Sequence, residues 1–163
     1  MNNQNYISAE EARVTSVCWF GVDMEEHIAM LYSGGAGIPS VLTWANVEKI
    51  YNYFLEDAPV VSESAYEPYF LSLLSPKELE GYLKHENDPS DEDVLAASKG
   101  VYTIDGTLHD PCDINYYRVR IPTNPLFFQD LPIDIQKCFE GERLPISFAE
   151  VKVFEDRVIP NRI

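Results

Sequence analysis

The chain has 163 residues, 45% apolar and 12% aromatic, enough for one core and too apolar for a disordered chain. Twelve Lys and Arg against 27 Asp and Glu leave a formal net charge of −15 and a pI near 4.4. That balance excludes nucleic acid and an anionic membrane surface as partners, because clustered cations are what hold either one. No apolar run approaches the length of a membrane span, and the opening residues lack the basic start and apolar stretch of a secretory signal. Cys18, Cys112 and Cys138 are too scattered for a disulfide framework. They fit a reducing compartment, with Cys18 and Cys138 as small buried apolar side chains. The expectation is one cytoplasmic domain over residues 1–163.

The first local signal is Ser8-Ala9-Glu10-Glu11, whose spacing is that of a capping box and predicts a short helical turn. Val14 to Phe20 is β-branched and aromatic and reads as a strand, and His27 to Ser33 reads as a second. The short polar connection between them predicts an antiparallel hairpin. Gly34 to Pro39 then breaks the chain. Thr43 is placed to cap a helix reaching Asp57, with Val47, Ile50, Tyr51, Phe54 and Leu55 on one face. Tyr66 to Leu74 is apolar but interrupted by Pro68, and the pattern leaves helix and strand both open.

Ser75-Pro76-Lys77-Glu78 combines an N-cap, a proline at the first helical position and a reciprocal Glu, and predicts a helix to Lys84. Ser90 is placed to cap a short helix ending at Gly100. Val101 to Asp105 reads as a strand with Asp105-Gly106 as its turn, and Ile114 to Ile121 alternates as a half-buried strand. Leu131 to Phe139 fits a short helix, and the alternation of Ile146 to Phe154 predicts a last strand. The fold class expected is α+β: about five mostly antiparallel strands, with three or four helices packed on one face.

Charge is concentrated in the middle of the chain. From Glu86 to Asp93, five of eight residues are acidic. One reading is a solvated loop that confers solubility. The other is a surface that steers a basic protein partner, for which Glu86, Asp88, Asp91, Glu92 and Asp93 are the candidate contacts and Asp23, Glu25 and Glu26 a second patch. Two further constellations offer chemistry. Ser33 to Pro39 holds a Gly-rich turn between strand and helix, but it lacks the Lys of a phosphate loop; a small-ligand cleft there is the alternative. His109-Asp110-Pro111-Cys112-Asp113 gathers metal-ligand and nucleophile types, but no paired Cys or His motif completes a metal site. A hydrolase-type enzyme on His109 and Cys112 is the second alternative. No cofactor, metal site or catalytic set is expected. Trp19, Phe20, Tyr116 and Phe148 read as core, and Tyr66, Tyr69, Phe70, Phe127 and Phe128 as aromatics that an interface would use if exposed.

The stretch Val17-Cys18-Trp19-Phe20-Gly21-Val22-Asp23 through His27-Ile28-Ala29-Met30-Leu31-Tyr32-Ser33-Gly34-Gly35-Ala36-Gly37-Ile38-Pro39 resembles the opening of small acidic bacterial immunity proteins encoded beside polymorphic toxins. The chain is also similar to the Smi1/Knr4-like immunity group in size, acidity and class, although it opens on strands where that group opens on a helix. The resemblance implies a stoichiometric inhibitor whose acidic face blocks a basic toxin domain, often a nuclease, and which carries no catalytic residue.

Overall fold

The computed structural model describes residues 5–110 and 112–163. The chain opens on helix α1 (Ala9–Val14), closed by the capping box in which Ser8 accepts from the Glu11 N–H and Glu11 accepts from the Ser8 N–H. That helix occupies the start of the stretch expected as strand, so β1 begins later, at Cys18–Val22. It pairs antiparallel with β2 (Ile28–Tyr32), Phe20 opposite Met30, and gives the expected hairpin. Thr43 caps α2 (Trp44–Asn52) through the Asn46 N–H, and the helix then widens into a π turn over Tyr53–Asp57 that seats Phe54 in the core.

The segment left open in the sequence is both things at once. Ser64–Tyr66 is strand β3 and Pro68–Ser72 is helix α3, with Pro68 at the first turn where its missing N–H costs nothing. Helix α4 (Pro76–Lys84) has the capping box expected of Ser75 and Glu78. Helix α5 (Glu92–Ser98) is capped by Asp91 rather than Ser90, because Asp91 Oδ1 receives the Asp93 and Val94 N–H groups while Ser90 is turned back onto Asp88. Gly100, at φ +89°, ends it as expected.

Strand β4 (Tyr102–Gly106) runs straight through Asp105-Gly106, and the chain turns only at Thr107, φ +56°. Strand β5 (Asn115–Pro122) is followed by the short helix α6 (Ile133–Gln136), and β6 is confined to Val153–Glu155. The alternation from Ile146 to Val151 is therefore not a strand. Ser147 and Phe148, adjacent in sequence, are both buried there from an irregular segment, where a half-buried strand would bury only one of the two.

The architecture is α+β. The sheet runs β1-β2-β4-β5-β3, with β6 also on β5. Since β4 pairs with β5 from Arg120 to Tyr116, β3 and β6 share the other edge of β5, one at each end. The pairings are antiparallel except β2 with β4, which run parallel, Met30 beside Thr103. Among the described residues six α-helices are present rather than three or four, and they are not gathered on one side. Trp19, Ala29, Leu31 and Ile104 face one cluster with Ala12 of α1, Ile38 and Phe148. Phe20, Met30 and Val101 face the opposite cluster with Ile50 of α2, Ala96 of α5 and Ile135 of α6. A third, smaller cluster joins Phe70 of α3 and Tyr82 of α4 to Val119 of β5. Among the described residues no helix is long and apolar enough to cross a membrane.

Candidate functional site

The C-terminal ends of the parallel strands β2 and β4 point the same way, and helices α4 and α5 stand beside them. Between them lies an open cavity of about 520 Å³, lined by Tyr32 of β2, Asp105 and Gly106 of β4, Glu78 and Tyr82 of α4, and Asp91, Glu92 and Asp93 at the start of α5. The loop that closes one side is tied down by Asp113: its carboxylate accepts from the Leu108 N–H at 3.3 Å and the Tyr117 hydroxyl at 2.7 Å. On the rim, His109 Nε2 lies 3.0 Å from Glu78.

Among the described residues, five carboxylates line this cavity and no Lys or Arg does. Two of them are set deep. Oδ1 of Asp93 and Oδ1 of Asp105 are buried and accept no hydrogen bond. Burial pushes the Asp105 carboxyl up to about 7, with Asp91 adding to the effect. Burial likewise raises Asp93 well above the ordinary carboxylate range, Asp105 and Asp91 raise it further, and Arg120 opposes them. Arg120 is itself buried, its Nε donating to Ser64 Oγ at 2.9 Å and its guanidinium lying 4.4 Å over the Tyr66 ring. Glu92 is the exposed member, and its carboxylate accepts from both the Tyr32 and Tyr51 hydroxyls.

The first acidic patch of the sequence reading is split by this arrangement. Asp91, Glu92 and Asp93 line the cavity, while Glu86 and Asp88 sit on the turn after α4. Glu86 is exposed, and Asp88 is engaged with Ser90 and with His85 Nδ1 at 3.3 Å. The second patch requires a correction. Asp23 is fully buried and belongs to no surface: Oδ1 accepts from the Glu25 and His27 N–H groups, and Oδ2 from the Phe148 N–H at 2.7 Å. It fixes the β1–β2 turn and anchors the irregular segment around Phe148. Glu25 is exposed, and Glu26 is paired with Arg143 at 2.9 Å.

In the Gly-rich turn, three backbone donors are spent internally: Gly34 on Ser16 Oγ, Ala36 on the Ser33 carbonyl, Gly37 on Asp156 Oδ2. His109 turns to Glu78, and Cys112 is exposed. Pro111, between them, lies outside the described residues. Among the described residues no three His, Cys, Asp or Glu side chains are grouped to hold a metal ion. Of the interface aromatics, Tyr66 and Phe70 are buried, Tyr69 and Phe127 are exposed, and Phe128 lies under Arg143.

Sequence reasoning missed Asp105, Glu78, Tyr32 and Tyr82. One signal was present: Asp105 shares the strand parity of buried Thr103, so in a continuing strand its carboxyl points where the Thr103 side chain does. Taking Asp-Gly for a turn hid it. No family model, no curated protein and no solved structure matches the chain.

Proposed function

We propose that the protein is a non-enzymatic binding domain whose acidic side receives a basic protein, in the manner of a toxin-neutralising immunity protein of the bacterial cytoplasm. The observation that carries this reading is the cavity with five carboxylates and no Lys or Arg in its wall. Glu86 and Asp88 on the adjoining turn extend the same negative field. Like charges held this close repel one another, and an oppositely charged partner relieves the repulsion while being steered to the site. The strand–turn–strand resemblance supports a toxin as that partner. The inhibitor then works by occupancy, its carboxylates standing where a nuclease would hold phosphates.

The test is calorimetric titration of the full chain with the toxin domain encoded beside it, at low and high salt, alongside a toxin activity assay. A one-to-one complex that weakens with salt and silences the toxin is expected. Undiminished toxin activity at saturating protein would refute the reading.

A second reading, general acid–base chemistry in the same cavity, is favoured by one observation: Asp105 is held at about 7, where a carboxyl both gives and takes a proton near neutral pH. Asp105→Asn separates the two, since it changes partner affinity under the first reading and abolishes turnover under the second.

A further inference from the structure

We propose that the cavity between β2, β4, α4 and α5 is an anchor site for one guanidinium or ammonium group, carried on a basic side chain of the partner protein. The assignment rests on the partner reading above and names the chemistry that it needs. The volume of about 520 Å³ lies within the roughly 300–1,000 Å³ of sites that enclose a ligand, so it admits a long side chain with part of the segment that carries it.

Asp93 and Asp105 both line this space, and among the described residues neither buried Oδ1 has a donor. Buried acceptors of this kind are ordinarily satisfied, and leaving one without a partner is costly. The cation facing Asp93 from β5 is Arg120; its Nε and Nη2 donate to Ser64, and its buried Nη1 donates to neither carboxylate. The other titratable groups lining the cavity are Asp91 at the cap of α5 and Glu92 on it, Glu78 and Tyr82 from α4, and Tyr32 from β2. All are acids or phenols, and none brings a positive charge.

The shape of this deficit selects the ligand. A neutral donor would satisfy the oxygens, but only a cation also favours the ionised form of both carboxyls. A bare metal ion would need a grouped set of ligands, and none exists among the described residues. A guanidinium carries several N–H donors in a plane and can serve two carboxylates together, and an ammonium offers three donors. The Tyr32 and Tyr82 rings add aromatic walls of the kind that favour a cation, as Tyr66 already does for Arg120. Tyr82 also lines a neighbouring hollow of about 270 Å³ with Glu78 and Asp91, which gives the carrying segment a way in.

The experiment titrates the ¹⁵N-labelled full chain with N-acetyl-arginine amide and with its neutral isostere N-acetyl-citrulline amide, at constant ionic strength. The amide signals of Asp91–Asp93 and Asp105–Leu108 are read. Saturable shifts from the arginine compound, none from the citrulline compound, and at least tenfold weaker binding by the Asp93→Asn/Asp105→Asn double variant are expected. Should that variant lose its dispersed spectrum, Glu78→Gln at the cavity edge carries the comparison, with a severalfold weakening expected.

Equal responses to the two compounds, or none to either, overturn the site. The same shifts from calcium chloride overturn it in favour of an inorganic cation. Spermidine binding much more tightly than the arginine compound overturns the protein source in favour of a free polyamine. The partner reading fails separately. A toxin domain that binds wild type and double variant equally removes the anchor and leaves the inhibitor standing. Arginine amide filling the cavity of a chain that binds no toxin does the reverse: the cation site stands and its protein source is overturned.

Discussion

Gly34 and Gly106 cross so closely that neither position has room for a side chain. A Cβ on Gly34 would lie 2.4 Å from the Gly106 carbonyl oxygen, and a Cβ on Gly106 would lie 2.3 Å from the Ser33 carbonyl oxygen. Gly34 is also left-handed, at φ +56°. The crossing locks the exit of β2 against the end of β4, whose Gly106 lines the acidic cavity. Gly34→Ala and Gly106→Ala are each expected to cost about 3 kcal/mol or more, from overpacking and, at Gly34, backbone strain. Urea denaturation measures it; a loss within experimental error at both positions would mean that the crossing yields freely.

Asp23 offers a second stability test. Removing its carboxylate leaves the N–H groups of Glu25, His27 and Phe148 without an acceptor, two of them in the buried interior. At ~1–3 kcal/mol for each orphaned buried donor, Asp23→Ala is expected to lose roughly 4 kcal/mol. Asp23→Asn keeps one oxygen and loses less. Hydrogen exchange should rise first at Phe148, whose own N–H has that carboxylate as its acceptor.

Burial holds the carboxyls of Asp105 and Asp93 above their ordinary range, so the native chain binds protons that the unfolded chain has released. The contribution of Asp105 is therefore most favourable below pH 4, and it declines as pH climbs through the window up to about 7. Asp105→Asn removes that decline. The variant is expected to melt higher than wild type at pH 8 and to match it near pH 4. Thermal unfolding at both pH values decides the matter, and a variant less stable at pH 8 would contradict the sign.

Glu67 and Arg118 form a buried ion pair at 2.8 Å, and Arg118 also donates to the Phe148 and Ala149 carbonyls. Glu67→Gln leaves the guanidinium buried with its charge uncompensated, and a loss of about 3 kcal/mol is expected. Replacing both residues by apolar ones of similar volume should lose less than the sum of the single changes. A double-mutant cycle by denaturant unfolding reports the coupling.

Under the proposed function, Glu86→Gln with Asp88→Asn is expected to slow association with the basic partner severalfold and to leave dissociation nearly unchanged. Charges at a rim act mainly on encounter. Stopped-flow measurements at two ionic strengths would show the difference closing as salt rises.

What the sequence disclosed was local. The capping boxes at Ser8 and Ser75 and the proline at the first turn of α4 depend on neighbours within three or four residues, and they stand where the spacing puts them. The β1–β2 hairpin was legible for the same reason. The stretch from Ile146 misled because its backbone is held by a partner 125 residues away: Asp23 accepts from the Phe148 N–H, and the adjacent Ser147 and Phe148 side chains are both buried. Arg118 and Arg120 occupy polar positions of an alternating strand and are nonetheless buried, since Glu67 and Tyr66 arrive from β3 and its exit to cover them. The cavity shows the same division. Composition revealed that residues 91–93 were acidic, but only the parallel placement of β2 beside β4 sets Asp105 opposite them.

That parallel pairing also orders events in time. An antiparallel neighbour can form across a short turn, but β2 cannot meet β4 until the residues between Tyr32 and Tyr102 have been gathered into a loop. Closing so long a loop is entropically slow, and proteins rich in such contacts fold late and as a whole. The cavity rides on the ends of these two strands. It therefore does not exist in any partly folded chain that holds only the β1–β2 hairpin, and the carboxylates that meet in it remain apart, hydrated and ordinary until the central register closes.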